Sequence, residues 1–584
     1  MADTHDPVET GMPKTVRYGI AAVLVILVFM WFLPRRAGNN GTTPGSDESK
    51  EPVAASSSER AAEQQLSGIL SGLSPERVAI TSERLDRLAE LSQWSAETLV
   101  KGDAAAVTLD EGANAKWFAG DALKKVNEPS FSLRDTHHIT MALLASEMAT
   151  RVKQKFTEPV DQIDELFRTV ILETVLMPDD FDSKLPGTPF ESLMLGRATA
   201  AGRAWVFATL LRQLPVDAVI LEPKSKPEAW LIGVLAPSGD VLLYDPRLGT
   251  CVPSGPAPAG FQKPASLALV KQKPELLREL DVSTAAYPLQ ADDLKAFHVR
   301  LIADSSGSAL RMAKLQTRVD MEVFDGVGKS SLREKGLAER VIAAGNGGGW
   351  SEADVAVWSY PEQQADVFMS SGAEESRAWK QVTEVFLGPM ILTDQRLQTK
   401  GESDVRTKPI VAKSDEPLRK VRMEHLSGRY ETALRNYGRI RGAYTAVTTR
   451  DPELVEQLRA AMPLNGKAAE YAVYWIALCQ LREKPQIVPG TLEGYIRLFP
   501  KGEMLNVVPD LWATSIEESG DKAAAVKFLE GGQRTPRREI LIKQWAEGAK
   551  AEKSKDAAPT EKPETPAAPV TEPASAPAAA PGGT

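Results

Sequence analysis

Gly196–Gly249 reads GRATAAGRAWVFATLLRQLPVDAVILEPKSKPEAWLIGVLAPSGDVLLYDPRLG. Gly196 opens the stretch. Arg203, Ala204, Trp205, Phe207, Leu210, Leu211 and Leu214 then predict a helix with a broad apolar face. Pro215 ends it, because proline cannot continue the helical ladder. Val216–Leu221 is a short apolar, β-branched run and predicts a strand. Ala229–Ile232 predicts a second strand. Ser238-Gly239-Asp240 supplies turn chemistry, and Leu242–Pro246 predicts a third strand. A buried helix followed by three closely spaced strands is an α+β arrangement.

This layout resembles a transglutaminase-like, papain-type domain. Ala229-Trp230 stands where that family carries "HAW", and Asp245-Pro246 stands at its strand-ending "DP". The resemblance implies a cysteine at the N-terminus of the buried helix, where the helix end lowers the thiol pKa. It also implies a histidine base on the next strand pair and an aspartate that fixes the histidine tautomer. The chain departs from this at two of three positions. Ala198-Thr199-Ala200-Ala201-Gly202 contains no cysteine, and Glu228 replaces the histidine. Asp245 is retained. Histidines occur only at 5, 137, 138, 298 and 425, and Cys251 follows the aspartate-bearing strand. A threonine nucleophile needs an adjacent base. A glutamate does not return a proton near neutral pH unless burial raises its pKa. The expectation is a transglutaminase-like core without its usual chemistry. The alternative is an enzyme that uses Thr199, Glu228 and Asp245 as a non-standard catalytic set. Asp245 also has a plain structural reading, an Asp-Pro-Arg turn paired with Arg247 or Arg203.

The chain has 584 residues, a net charge of −9, 43% hydrophobic and 25% charged residues. That length predicts more than one core. No basic cluster interleaved with aromatics is present, which argues against nucleic-acid binding. Two cysteines cannot build a disulfide framework.

Tyr18–Leu33 is uninterrupted and apolar, YGIAAVLVILVFMWFL. As a helix it rises about 24 Å, and flanking arginine stems extend it toward a ~30 Å hydrocarbon core. It predicts a transmembrane helix over 18–33 after a short tail over 1–17. The run ends WFLPRR, without a small-residue cleavage site. Residues 37–60 are a Gly/Ser/Pro-rich linker. A helical region is expected over 61–130, with Ser74 capping a helix that begins at Pro75. The transglutaminase-like α+β domain spans 131–400, including helices over 140–156 and 160–177. A charged connector over 401–417 precedes a helical domain over 418–548. Residues 549–584 lack aromatics and are rich in Ala and Pro, a composition that predicts a disordered tail.

His137 and His138 invite a metal reading, but no third ligand lies at suitable spacing. A surface pair just before a helix is the preferred reading. Asn346-Gly347-Gly348-Gly349 lacks the Lys-Ser/Thr of a phosphate loop and reads as a plain loop. No metal or cofactor is expected.

In the C-terminal region, Gly428, Tyr430, Ala433 and Tyr437 resemble the second half of a tetratricopeptide repeat, and Gly520, Lys522, Ala525 and Leu529 repeat the phase. An ordinary helical bundle is the alternative. The whole order resembles bacterial membrane-anchored proteins that join a single span, a transglutaminase-like domain and a tetratricopeptide-like C-terminal region. That resemblance implies a single-pass bacterial inner-membrane protein; the basic residues flanking the span are tied, and the short tail before it leads to the expectation that the soluble part lies outside the cytoplasm. The resemblance also implies a protein or peptide partner held through the C-terminal helices. The function expected is interaction or scaffolding, with a cell-envelope hydrolase or acyltransferase as the alternative.

Overall fold

The computed structural model describes residues 57–77, 82–180, 185–255, 263–373, 377–397, 406–445 and 449–556. The apolar run 18–33 lies outside them. Among the described residues no helix is long and apolar enough to cross a membrane.

The fold is mixed α+β, mostly helical, with one six-stranded sheet. Its strands are β1 (Asp217–Pro223), β2 (Leu231–Leu235), β3 (Val241–Asp245), β4 (Thr250–Cys251), β5 (Phe297–Leu301) and β6 (Val355–Val357). They lie in the order β4-β3-β2-β1-β5-β6. All neighbours are antiparallel except β5 and β6, which run parallel. β2 and β3 form the hairpin expected around Gly239, whose φ of +88° suits a residue without Cβ.

Side chains alternate between the two faces of a strand, and the core divides accordingly. Ala218, Ile220, Ile232, Val234, Leu242 and Tyr244 enter one cluster. Val219, Leu221, Leu231, Val241 and Leu243 enter the other. The helices that matter for the site are α1 (Leu133–Lys155), α2 (Pro159–Glu173), α3 (Pro189–Leu195) and α4 (Ala200–Arg212). α4 is the helix expected after Gly196, and Phe207 packs edge-on against Phe167 and Tyr244.

Among the described residues seven further α-helices follow: α5 (Leu418–Leu426), α6 (Tyr430–Thr445), α7 (Pro452–Glu483), α8 (Val488–Leu498), α9 (Val508–Glu518), α10 (Lys522–Glu530) and α11 (Pro536–Asp556). α5–α9 share a hydrophobic cluster with α1–α4, and Ile540 of α11 enters the other cluster. The centre of the shared cluster is Trp475, fully buried, stacked on Tyr471 at 5.4 Å and covered by the Arg422 guanidinium at 4.5 Å. The described residues from Ser58 onward form one compact unit.

Several local expectations need correction. Ser74 closes a turn by accepting from Arg77 N at 3.0 Å, and the next described helix starts at Ser82. The first described helix, Ser57–Gly72, begins inside the segment read as linker. α1 starts seven residues before the expected position, at Leu133, because Ser132 and Asp135 form a capping box. α2 ends at Glu173 rather than Met177. The connector contains a strand, Arg406–Lys413, paired antiparallel with Met390–Leu397. The expected loop Asn346–Gly349 is the end of a helix, Leu337–Gly348. Glycine is needed there because a Cβ on Gly348 would sit 2.0 Å from the Trp350 ring. α11 continues to Asp556, past the expected start of the tail at 549.

Candidate functional site

The turn between α3 and α4 places Thr199. Gly196 ends α3 in the left-handed region at φ +68°, against the Trp475 ring. Arg197–Ala198 then pairs in parallel with Val175–Leu176. Thr199 is the N-cap of α4, and its Oγ1 accepts from Gly202 N at 3.1 Å. That hydroxyl therefore satisfies one of the four unpaired amides of the helix start. Its other neighbour is the Tyr360 hydroxyl, 3.4 Å away. Burial pushes the Tyr360 phenol pKa up, so it is a poor base near neutral pH.

Glu228 lies exposed in a single 3-10 turn, Pro227–Ala229, before β2. Its backbone oxygen accepts from Arg247 Nη1 at 2.8 Å. Arg247 also donates to the Trp230 carbonyl and lies 4.7 Å above the Trp230 ring.

Asp245 is 2% exposed at the end of β3. Its Oδ1 accepts from Arg247 N at 2.8 Å and Leu248 N at 3.3 Å, and Arg247 Nε is 3.4 Å away. Its Oδ2 accepts from the Tyr287 hydroxyl at 2.8 Å. Both oxygens are engaged in a turn built around the carboxylate. Arg247 is thus the partner of Asp245. Arg203 instead donates to Thr174 and to the Pro246 carbonyl.

Among the described residues no hydrogen bond joins any two of Thr199, Glu228 and Asp245. The contact path from Thr199 to Asp245 runs through aromatic rings. Tyr360 stacks on Trp358 at 4.9 Å, Trp358 meets Trp230 at 6.4 Å, and Trp230 carries Arg247. All three rings are half-buried. Trp358 and Tyr360 escaped sequence reasoning. Their only signal is the alternation in Val357-Trp358-Ser359-Tyr360 at the start of a helix, Ser359–Ala373.

Both cysteines are buried. Burial pushes the Cys251 and Cys479 thiols up, which makes both poor nucleophiles.

His137 and His138 depart from the surface pair expected. They lie within the first turns of α1, and His137 is 7% exposed. His137 Nε2 is 3.0 Å from both Thr188 Oγ1 and Glu191 Oε2, and the ring stacks on Phe368 at 4.0 Å. Burial lowers the His137 pKa despite the Glu191 carboxylate. His138 Nε2 meets the Val323 carbonyl at 2.9 Å, and its Nδ1 is 3.9 Å from Asp304. His137, His138, Thr188 and Asp304 line a small cavity of about 40 Å³ that also touches Arg134 and Arg212. It has room for one or two waters. Among the described residues no group of three His, Cys, Asp or Glu is placed to hold a metal.

No protein-family model matches the sequence, no curated protein is significantly similar to it, and no solved structure matches the fold.

Proposed function

We propose that this chain is a membrane-tethered interaction or scaffold protein whose α+β core is a non-catalytic, transglutaminase-like module. One observation carries the reading. The groups left at the family's chemical positions are not arranged for catalysis: Thr199 caps its own helix, Asp245 is saturated by a turn and Tyr287, and the exposed Glu228 has no hydrogen bond to either among the described residues. Acyl transfer of this type needs a nucleophile in reach of a base.

The partner side of the proposal rests on the C-terminal helices. Gly428 and Gly520, at φ +81° and +94°, close the turns between α5 and α6 and between α9 and α10. Ala433 and Ala525 are fully buried in the second helix of each pair. Small residues at such positions let paired helices approach, as in tetratricopeptide arrays. Ile487, Ile496 and Leu498 are 46%, 43% and 44% exposed along one short stretch ending in α8. These exposed apolar side chains offer contacts to an apolar peptide or protein partner.

The membrane tether rests on the apolar run 18–33 and its arginine flanks. The proposed location is the inner membrane, single-pass, with the soluble part outside the cytoplasm.

The test uses the full chain in its native membrane. Cross-linked partners should co-purify with it and be lost in an Ile496→Asp, Leu498→Asp variant that melts normally. Activity profiling with peptide and acyl-donor libraries should give no turnover. A turnover that disappears in Glu228→Gln refutes the non-catalytic reading in favour of a hydrolase or acyltransferase.

A further inference from the structure

Helices α1 and α2 meet α5, α6 and the end of α7 around a second cavity, of about 210 Å³. At ~30 Å³ per water this holds about seven waters. It is too large for a single trapped water and smaller than a drug-sized pocket.

Its floor is a buried ion network. Arg422 donates to Glu173 Oε2 at 2.7 Å and to the Glu173 carbonyl at 3.0 Å. The same guanidinium lies 3.1 Å from His425 Nδ1. Arginine has only donors, so Nδ1 is the acceptor and the ring proton sits on Nε2. Across the cavity, Arg482 donates to Glu165 Oε1 at 2.6 Å and to Thr169 at 3.0 Å. Arg151 donates to the Tyr430 hydroxyl at 2.8 Å.

Three buried polar atoms of these residues make no hydrogen bond: Arg151 Nε, His425 Nε2 and Glu165 Oε2. The nearest carboxylate oxygen to His425 Nε2 is Glu173 Oε1, at 3.4 Å. Glu165 Oε2 has only Arg168 at 3.6 Å. Native interiors leave few such groups, and three around one cavity mark a place built to be filled. Lys155 lines the same cavity and, among the described residues, has no carboxylate within ion-pair distance. Arg151, Lys155 and Arg482 line the cavity with Glu165 and Glu173, three cations against two carboxylates, and Arg422 pairs with Glu173 from behind the lining.

The unpaired groups describe their complement. Two N–H donors and the Lys155 ammonium, whose recorded contact is the Phe156 ring at 4.9 Å, call for a carboxylate, and the spare oxygen of Glu165 calls for a donor on the same molecule. We propose that this cavity binds a small carboxylate that carries its own hydrogen-bond donor, an α-amino or α-hydroxy acid. The site does not depend on the membrane or scaffold reading.

Titration calorimetry on the purified full chain tests this with alanine, lactate, acetate, ethylamine and inorganic phosphate. Alanine or lactate should bind, with acetate, ethylamine and phosphate at least tenfold weaker. Lys155→Gln changes an exposed residue and should weaken binding about tenfold while the melting temperature holds. Arg151→Lys keeps the charge, removes Nε, and should weaken it likewise. Absence of binding by both alanine and lactate overturns the proposal. So does binding unchanged in both variants, which places the ligand elsewhere. Acetate or phosphate binding as tightly as lactate also overturns it, because a general anion site needs no donor on its ligand.

Discussion

Asp245 is the residue on which the structural and catalytic readings diverge most sharply. Replacing it with alanine leaves Arg247 N, Leu248 N and the Tyr287 hydroxyl without their acceptor. Hydrogen bonds to a charged group contribute about 1.5–3 kcal/mol each, and the long Leu248 contact less. Two strong bonds lost at a site 2% exposed give a cost of about 3–5 kcal/mol for Asp245→Ala. Asparagine keeps an acceptor for the two turn amides, and its amide can donate to Tyr287. Asp245→Asn should therefore cost only about 1–2 kcal/mol, chiefly the loss of charge beside Arg247. Tyr287→Phe removes one donor and should cost about 1–3 kcal/mol. For a unit of this size 1 kcal/mol shifts the melting temperature by roughly 1–2 °C. The assay is thermal and urea unfolding of the full chain, read as a ranking. The expected order is alanine most destabilising, then Tyr287→Phe, with asparagine mildest or equal to it. An Asp245→Ala protein as stable as the parent refutes the argument that this carboxylate holds the turn.

Three other outcomes are expected. Arg311 grips the Asp135 carboxylate through two bonds of 2.8 Å, both side chains nearly inaccessible; Arg311→Ala should cost about 3–5 kcal/mol because it strands a buried charge, and urea unfolding measures it. Gly348→Ala drives a methyl into the Trp350 ring and should cost about 1–3 kcal/mol, with a change in tryptophan emission. Burial raises the Asp164 carboxyl to about 7, and the hydrogen bond from Tyr244 opposes this only in part. The folded state then binds more protons than the unfolded one between about pH 4 and 7, so stability falls as pH rises through that window. Asp164→Asn should remove this slope, gaining on the parent up to about pH 7 and not beyond. Unfolding midpoints of both proteins from pH 4 to 8 check it, and parallel curves contradict it.

The helix, the strand trio and the hairpin of Gly196–Gly249 were legible in the sequence because their signals are local. A proline stop, a Ser-Gly-Asp turn and β-branched runs act within a few residues of themselves. The turn role of Asp245 was legible for the same reason, since Arg247 is two residues away. Segments that looked like loops or linkers failed where a distant partner decides the outcome. Arg406–Lys413 is a strand because Met390–Leu397 pairs with it.

The sequence by itself determined the α+β class, the helical C-terminal region and the absence of cysteine and histidine from Gly196–Gly249, all properties of residue identity and short-range period. Only tertiary structure decided how those parts meet. His137 and His138 carry no burial signal in sequence, yet neighbours at 188, 191 and 323 enclose them. Trp230, Trp358 and Tyr360 form a row only after β6 joins the sheet beside β5. The cavity between α1, α2 and α5–α7 exists because Arg151 and Glu165 meet His425 and Arg482, hundreds of residues downstream. Such contacts depend on packing of whole elements, which no local pattern encodes.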